Sequence, residues 1–364
     1  MSKGRLLQLL EAVIVIMIFI YVFHDVDFAE LYRVLAHANK ASILPIAFFE
    51  VLYFLSNAVS FWLLCMVGFE MTFWEAFTSS MFAWLVDILI PLAFIEGDIA
   101  RILYLRTKGE WGKAVGYTIF FRFLSNVTFA TFIILTSAAA LNFIYLYEQY
   151  LVFYVVMVAL LILTVLLMAV VVFDMDRIKR GAKWLLGRLS AKWETVSRFE
   201  ADVMRFLDSV EGALSEIDVK NPKVILAMLF LFLQWVSGIM TPYFSLRTVG
   251  ASVNPLFIAP GYSILTVFSL ASIGVPFMVG SIDAALLTLY LLLGVPKEQA
   301  IGATFIGRSI TIIVAMAMIY PSGMYCARRV LSVSRLNDIR RELEKVLEEK
   351  GIEVPFREFI AGSR

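Results

Sequence analysis

Residues 91–101 read PLAFIEGDIAR and residues 276–283 read PFMVGSID. Each stretch interrupts a long apolar run with a proline, a glycine and then an acid. Pro91 precedes Asp98 by seven residues, and Pro276 precedes Asp283 by seven. Gly97 and Gly280 lie just ahead of the two acids, and a basic residue and an alanine follow: Lys113-Ala114 in the first copy, Lys297 with Ala300 in the second. An arginine then enters the next apolar run, Arg122 at 24 residues from its acid and Arg308 at 25. Proline and glycine free backbone groups that hydrocarbon cannot satisfy. Such breaks persist only where protein or a water-filled cavity supplies partners. The shared order of residues predicts a repeated, interrupted-helix architecture. A pair of ordinary proline-kinked spans is the plainer alternative.

Composition says what solvent these runs occupy. Of 364 residues, 61% are hydrophobic and 17% charged, with a mean hydropathy of +0.84. Soluble chains hold roughly 45–50% apolar and about 25% charged residues. The excess apolar surface requires a bilayer, which excludes a secreted disulfide scaffold, a disordered chain and an ordinary cytosolic enzyme. The net charge of +1 gives no field for nucleic acid. Cys65 and Cys326 lie in separate apolar segments and read as buried free thiols. His24 and His37 belong to no ligand cluster, so no metal site is expected. No Ser-His-Asp set, phosphate loop or dinucleotide fingerprint is present, so neither a cofactor nor an enzymatic activity is expected.

The fold class is therefore an all-α polytopic membrane protein. Apolar runs at 5–23, 42–68, 113–144, 150–173, 223–249 and 299–326 are long enough to span. Segments 73–106 and 254–296 are the broken ones. If each dips in and returns, there are six full spans and two broken hairpins; if each crosses twice, there are ten spans. The run at 5–23 follows Lys3 and Arg5 without a small-residue cleavage site and reads as a retained helix. An N-terminal half, 1–173, and a C-terminal half, 223–327, flank a polar loop at 174–222, and a tail follows at 328–364. The loop carries nine Lys and Arg and the tail another nine, against Arg33 and Lys40 alone in 24–41. This bias predicts cytoplasmic termini and loop in a plasma-membrane protein. The broken segments then open to opposite sides, the arrangement of inverted-repeat transporters. In the loop, Val196, Phe199, Val203, Phe206, Val210, Leu214 and Ile217 form one helical stripe. It suits either the membrane surface, a packed helix pair or a docking partner. Leu336, Ile339, Leu343 and Val346-Leu347 repeat the pattern in the tail.

The two arginines carry the chemistry. Arg122 and Arg308 each lie some ten residues into a span, too deep to snorkel easily. A centrally placed arginine costs on the order of 3 kcal/mol on an insertion scale. Both must face the interior and find partners. Asp98 and Asp283 are the nearest candidates, with Glu96 and Asp87 as further acids and Arg101 one helical turn from Asp98. The set reads either as structural ion pairs or as a bipolar cavity for a charged headgroup. Arginine suits phosphate because its planar fork bonds two oxygens. Glu11, Glu50 and Glu75 lie in or beside apolar runs and rank lower, as do Asn57, Asn126 and Gln234.

At these residues the chain resembles the transmembrane flippase-like family, the membrane region of lysylphosphatidylglycerol synthases. That family's first motif, a proline, a Gly-Gly-acid step and an arginine, is similar to Pro91 through Glu96-Gly97-Asp98 to Arg101, with Arg122 in the next helix. Its second is similar to Pro276, Gly280-Ser281-Ile282-Asp283, Ala300 and Arg308. The resemblance covers roughly 5–330. Glu96 stands where the family has glycine, which makes the first site more negative, and Ser281 and Ile282 depart from the glycine-rich step. The tail after the last span is too short for the synthases' aminoacyl-transfer domain. The resemblance thus implies lipid translocation rather than lipid synthesis. Membrane lipids are the expected partners, with a lipid- or sugar-transferring enzyme beside them and homo-oligomerisation left open. Arg122 and Arg308 would bind a phosphate near the midplane while Asp98 and Asp283 hold the arginines or a cationic headgroup. The breaks at Pro91, Gly97, Pro276 and Gly280 would serve as gates. An integral-membrane enzyme on lipid-linked substrates and a non-transporting scaffold are the rival readings.

Overall fold

The computed structural model describes residues 27–89, 96–140, 148–190, 194–259, 261, 265 and 280–349. The first predicted span, Glu11, Pro91 and Pro276 lie outside them. Among the described residues the protein is helical throughout, as the composition predicts, with no strand. Asp27 opens α1 (Phe28–Ala36) by accepting from the amides of Ala29 and Glu30 at 2.9 and 3.1 Å. A 3-10 turn, Lys40–Ser42, leads into α2 (Ile43–Cys65). The first broken segment forms α3 (Phe73–Leu89) and α4 (Glu96–Arg106). Next come α5 (Trp111–Ala140) and α6 (Glu148–Phe173), then the polar loop as α7 (Met175–Ser190) and α8 (Glu194–Ser215). Asn221 caps α9 (Pro222–Thr248), whose proline at the first position lacks only an N–H that would go unpaired anyway. The last two are α10 (Ser281–Leu292) and α11 (Lys297–Glu349).

Among the described residues, four helices carry stretches long and apolar enough to cross a bilayer: Lys40–Cys65, Trp111–Ser137, Pro222–Thr248 and Lys297–Ser332. The predicted span at 150–173 falls in α6, which is helical over 26 residues. As far as Glu349 the tail continues the last span, in the 53-residue helix α11. The centre of the bundle is the antiparallel pair α2 and α9. Asn39 bonds Thr248 at one end, Asn57 meets Gln234, Ser60 meets Ala227, and Lys223 reaches Met66 at the other. Small residues where the seam is bonded, Ser60 and Ala227, let the two backbones come close, as dispersion-driven packing in lipid requires.

The first broken segment is re-entrant. At its open end, Glu75 near the start of α3 is paired with Lys108 just after α4 at 2.9 Å. At its tip, Asp87 accepts from the Gly97 amide at 2.7 Å. The segment therefore enters and leaves at one end of the bundle. For the second, Ile258 and Ala259 share a buried cluster with Val249, Val295 and Ala300, so its two ends also lie together. With 11 and 12 residues, α4 and α10 are about 17 and 18 Å long. That is about half of a 30 Å hydrocarbon layer. Among the described residues, neither half-helix is long enough to cross the layer on its own.

The loop stripe has a clear fate. Val210, Leu214 and Ile217 are buried, with Ala213, against α5. Gly112 and Gly116 make room for them: a β-carbon at Gly112 would lie 2.0 Å from Ser209 Oγ, and one at Gly116 would lie 2.9 Å from Ala213 Cβ. The stripe of α8 is thus covered by a span, α5. Cys65 and Cys326 are buried free thiols in the same cluster.

Candidate substrate-binding site

The two copies of the motif build the same local geometry. Asp98 is the third residue of α4 and Asp283 the third of α10. Helix N-termini leave backbone N–H groups unpaired and favour negative charge. At α10, Asp283 Oδ2 accepts from the Gly280 amide at 2.8 Å, and Gly280 takes φ +90°, a left-handed conformation that favours glycine. At α4 the neighbouring Asp87 plays this part through Gly97. A β-carbon on Gly97 would lie 2.4 Å from Asp87 Oδ2, so that close approach requires glycine.

Each aspartate then binds the arginine of the next span. Arg122 Nε donates to Asp98 Oδ2 at 2.7 Å, and Arg308 Nε donates to Asp283 Oδ1 at 2.8 Å. Arg122 lies eleven residues beyond Trp111 and Arg308 eleven beyond Lys297, the first residues of α5 and α11. Both are therefore about 17 Å into their helices. The two helices run in opposite directions. Lys113 near the start of α5 pairs with Glu216, at the end where Lys223 meets Met66. Arg329, far along α11, reaches Glu75 at this same end. Each Asp–Arg pair thus lies about 17 Å in from the end at which its own span begins, and the two sit at different levels of the bundle.

The first site is the richer. Asp98 Oδ1 accepts from Arg101 at 3.1 Å while Oδ2 holds Arg122. Arg101 is buried, with its guanidinium over the rings of Phe61 and Phe121 at 5.6 and 4.9 Å. It also donates to Asn57 at 3.3 Å, which in turn donates to Gln234 at 3.1 Å. Asp87 is buried within electrostatic reach of Arg101, Arg122 and Asp98. Both alternatives for Asp98, a local pair with Arg101 and a long-range pair with Arg122, are therefore present together. Glu96 begins α4.

Glu50 belongs here too, although no motif marks it. It lies on α2 within electrostatic reach of Arg308. Tyr53, one turn along, feels both Glu50 and Asp87. Glu50 and Asn57 are two helical turns apart, so one face of α2 runs from the Arg308 site to the Arg101 site. Charged and polar groups therefore form a column through the middle of the bundle. Its outer walls are the exposed apolar side chains of the spans, Phe48, Ile134, Leu135, Leu229, Phe305 and Ile313 among them.

An all-α bundle with half-helices and paired charges among its spans defines a polytopic membrane protein with a polar interior. The chain belongs to the family described as the lysylphosphatidylglycerol synthase TM region, whose model matches residues 8–318. That membership ties this membrane protein to lipid metabolism. No curated protein matches it by sequence.

Proposed function

We propose that the protein moves a phosphate-bearing polar lipid, a phospholipid or a polyprenyl-phosphate-linked sugar, between leaflets without chemical change. The reading rests on one observation: two Asp–Arg pairs at the N-termini of oppositely directed half-helices, each about 17 Å in from the end at which its own span begins. A headgroup entering from either face meets the same chemistry. The first pair is arranged to open. When Arg122 turns to a phosphate, Asp98 keeps Arg101 on its other oxygen and is not left as a bare buried charge. Leaving one partner alone would otherwise cost about 3–5 kcal/mol. At the second pair, the Gly280 amide and the start of α10 hold Asp283 when Arg308 turns away. The lipid tails stay in the membrane while the headgroup passes along the polar column.

The lysine and arginine bias sets the loop, the tail and the open end of the first hairpin on the cytoplasmic side of the plasma membrane. A lipid- or sugar-transferring enzyme would supply or consume the substrate there. The test is reconstitution in liposomes with headgroup-labelled lipids, including a polyprenyl-phosphate sugar. Protection from an impermeant quencher is then followed over time. Faster exchange than in empty liposomes, for at least one lipid, is the expected result. A chemically altered lipid, with no exchange, would replace transport by catalysis.

A further inference from the structure

The first loop helix presents a face of distinct chemistry to its surroundings. Within Met175–Ser190, Asp176 is set against Arg177, Lys179, Arg180, Lys183 and Arg188. Lys179 turns inward to Asp208 and Glu211 of α8, and Met175 is buried beside it. Among the described residues, Arg177, Arg180 and Arg188 are exposed away from that contact, while Lys183, one turn after Lys179, is exposed on the side of α8. Between Arg180 and Arg188 stand Trp184 and Leu185, 64% and 50% exposed, with Arg188 lying 5.4 Å over the Trp184 ring. The height of this face is fixed. Ser209, between the two partners of Lys179, packs on Gly112 at the start of α5. Only Asp174 separates α7 from Phe173, the last residue of α6. The helix thus begins where a span leaves the hydrocarbon and is held at that level by α8.

We propose that this face of α7 is a docking surface for an anionic lipid leaflet. Trp184 and Leu185 enter the acyl boundary, and Arg177, Arg180 and Arg188 meet the phosphates. Basic residues beside a Trp-containing apolar strip are the chemistry of an interfacial helix. Three exposed cations complement an anionic surface. An acidic soluble partner would match the charge, but it would leave an exposed Trp–Leu pair at the bundle edge with no use. The surface is separate from the Asp–Arg sites and does not depend on translocation.

The full-length Leu185→Cys protein, placed in nanodiscs, tests this. Cys65 and Cys326 are buried, so an impermeant maleimide reports position 185. Labelling is expected to be several-fold slower with phosphatidylglycerol in phosphatidylcholine than with phosphatidylcholine alone. High salt is expected to abolish the difference, as screening of a surface interaction requires. The added charge reversals Arg180→Glu and Arg188→Glu, both at exposed positions, are expected to restore fast labelling in the anionic discs. Equal labelling in both lipids would overturn the proposal. So would protection that survives charge reversal, which would place protein or a second copy on this face.

Discussion

Asp98 holds two arginines, one on each oxygen, and Asp283 holds one. Neutralising them should therefore have unequal effects. Asp98→Asn leaves two cations under-paired in the interior and is expected to destabilise the protein by about 3 kcal/mol or more, with Asp283→Asn costing less. Thermal unfolding in detergent measures both. The double change Asp98→Asn with Arg122→Gln should recover part of the loss, with a coupling of about 1–3 kcal/mol in a double-mutant cycle. A coupling near zero would mean that the pair contributes nothing to the fold. The two pairs were legible in the sequence, because proline, glycine, acid and arginine recur in order at nearly equal spacing. Glu50 was not, because its place opposite Arg308 comes from packing of α2 near α11, which no local pattern records. Glu50→Gln is expected to leave the fold intact and to change transport. An unaffected initial rate would remove it from the site.

At the scale of elements, the informative contact is α8 on α5. Gly112 and Gly116 allow it, and a larger residue at either position would meet α8 directly. Gly116→Val is expected to lift α8 and raise amide exchange across 206–217 while leaving the α2–α9 pair protected. Hydrogen exchange followed by mass spectrometry checks this. The contact of α7 with α8 rests partly on Lys179. Its hydrogen bonds, first to Asp208 and then to Glu211, raise its ammonium from the usual 10.5 to about 12. A raised value means this stabilisation is whole below pH 10.5 and is lost as pH rises through about 12. At neutral pH, Lys179 is therefore a constant clasp, and Lys179→Met should loosen α7 equally at pH 6 and pH 8. The periodicity of 196–217 predicted an amphipathic helix without saying what it covers. The answer lay in the two glycines of α5, whose meaning appears only once the helices meet. The breaks near 91 and 276 marked the interrupted segments, but whether the first crossed or returned depended on the Glu75–Lys108 pair.

Across the whole molecule, oppositely directed half-helices bring their Asp–Arg pairs to successive levels of an antiparallel α2–α9 core. Composition settled the solvent, and the hydropathy runs located the spans, because a bilayer demands about 20 apolar residues from each. The route between the two sites was beyond such patterns. It is assembled from Glu50, Tyr53, Asn57 and Gln234 on two central helices that are far apart in the chain. That column is the physical basis for reading the protein as a headgroup conduit. The most direct test is the initial exchange rate of headgroup-labelled lipid in liposomes containing the wild type or the charge-balanced variant Asp283→Asn with Arg308→Gln. The variant removes both members of the second pair, and its folding can be verified by thermal unfolding. The account predicts exchange above empty liposomes for the wild type and a return to background for the folded variant. Equal rates for the two proteins would contradict it.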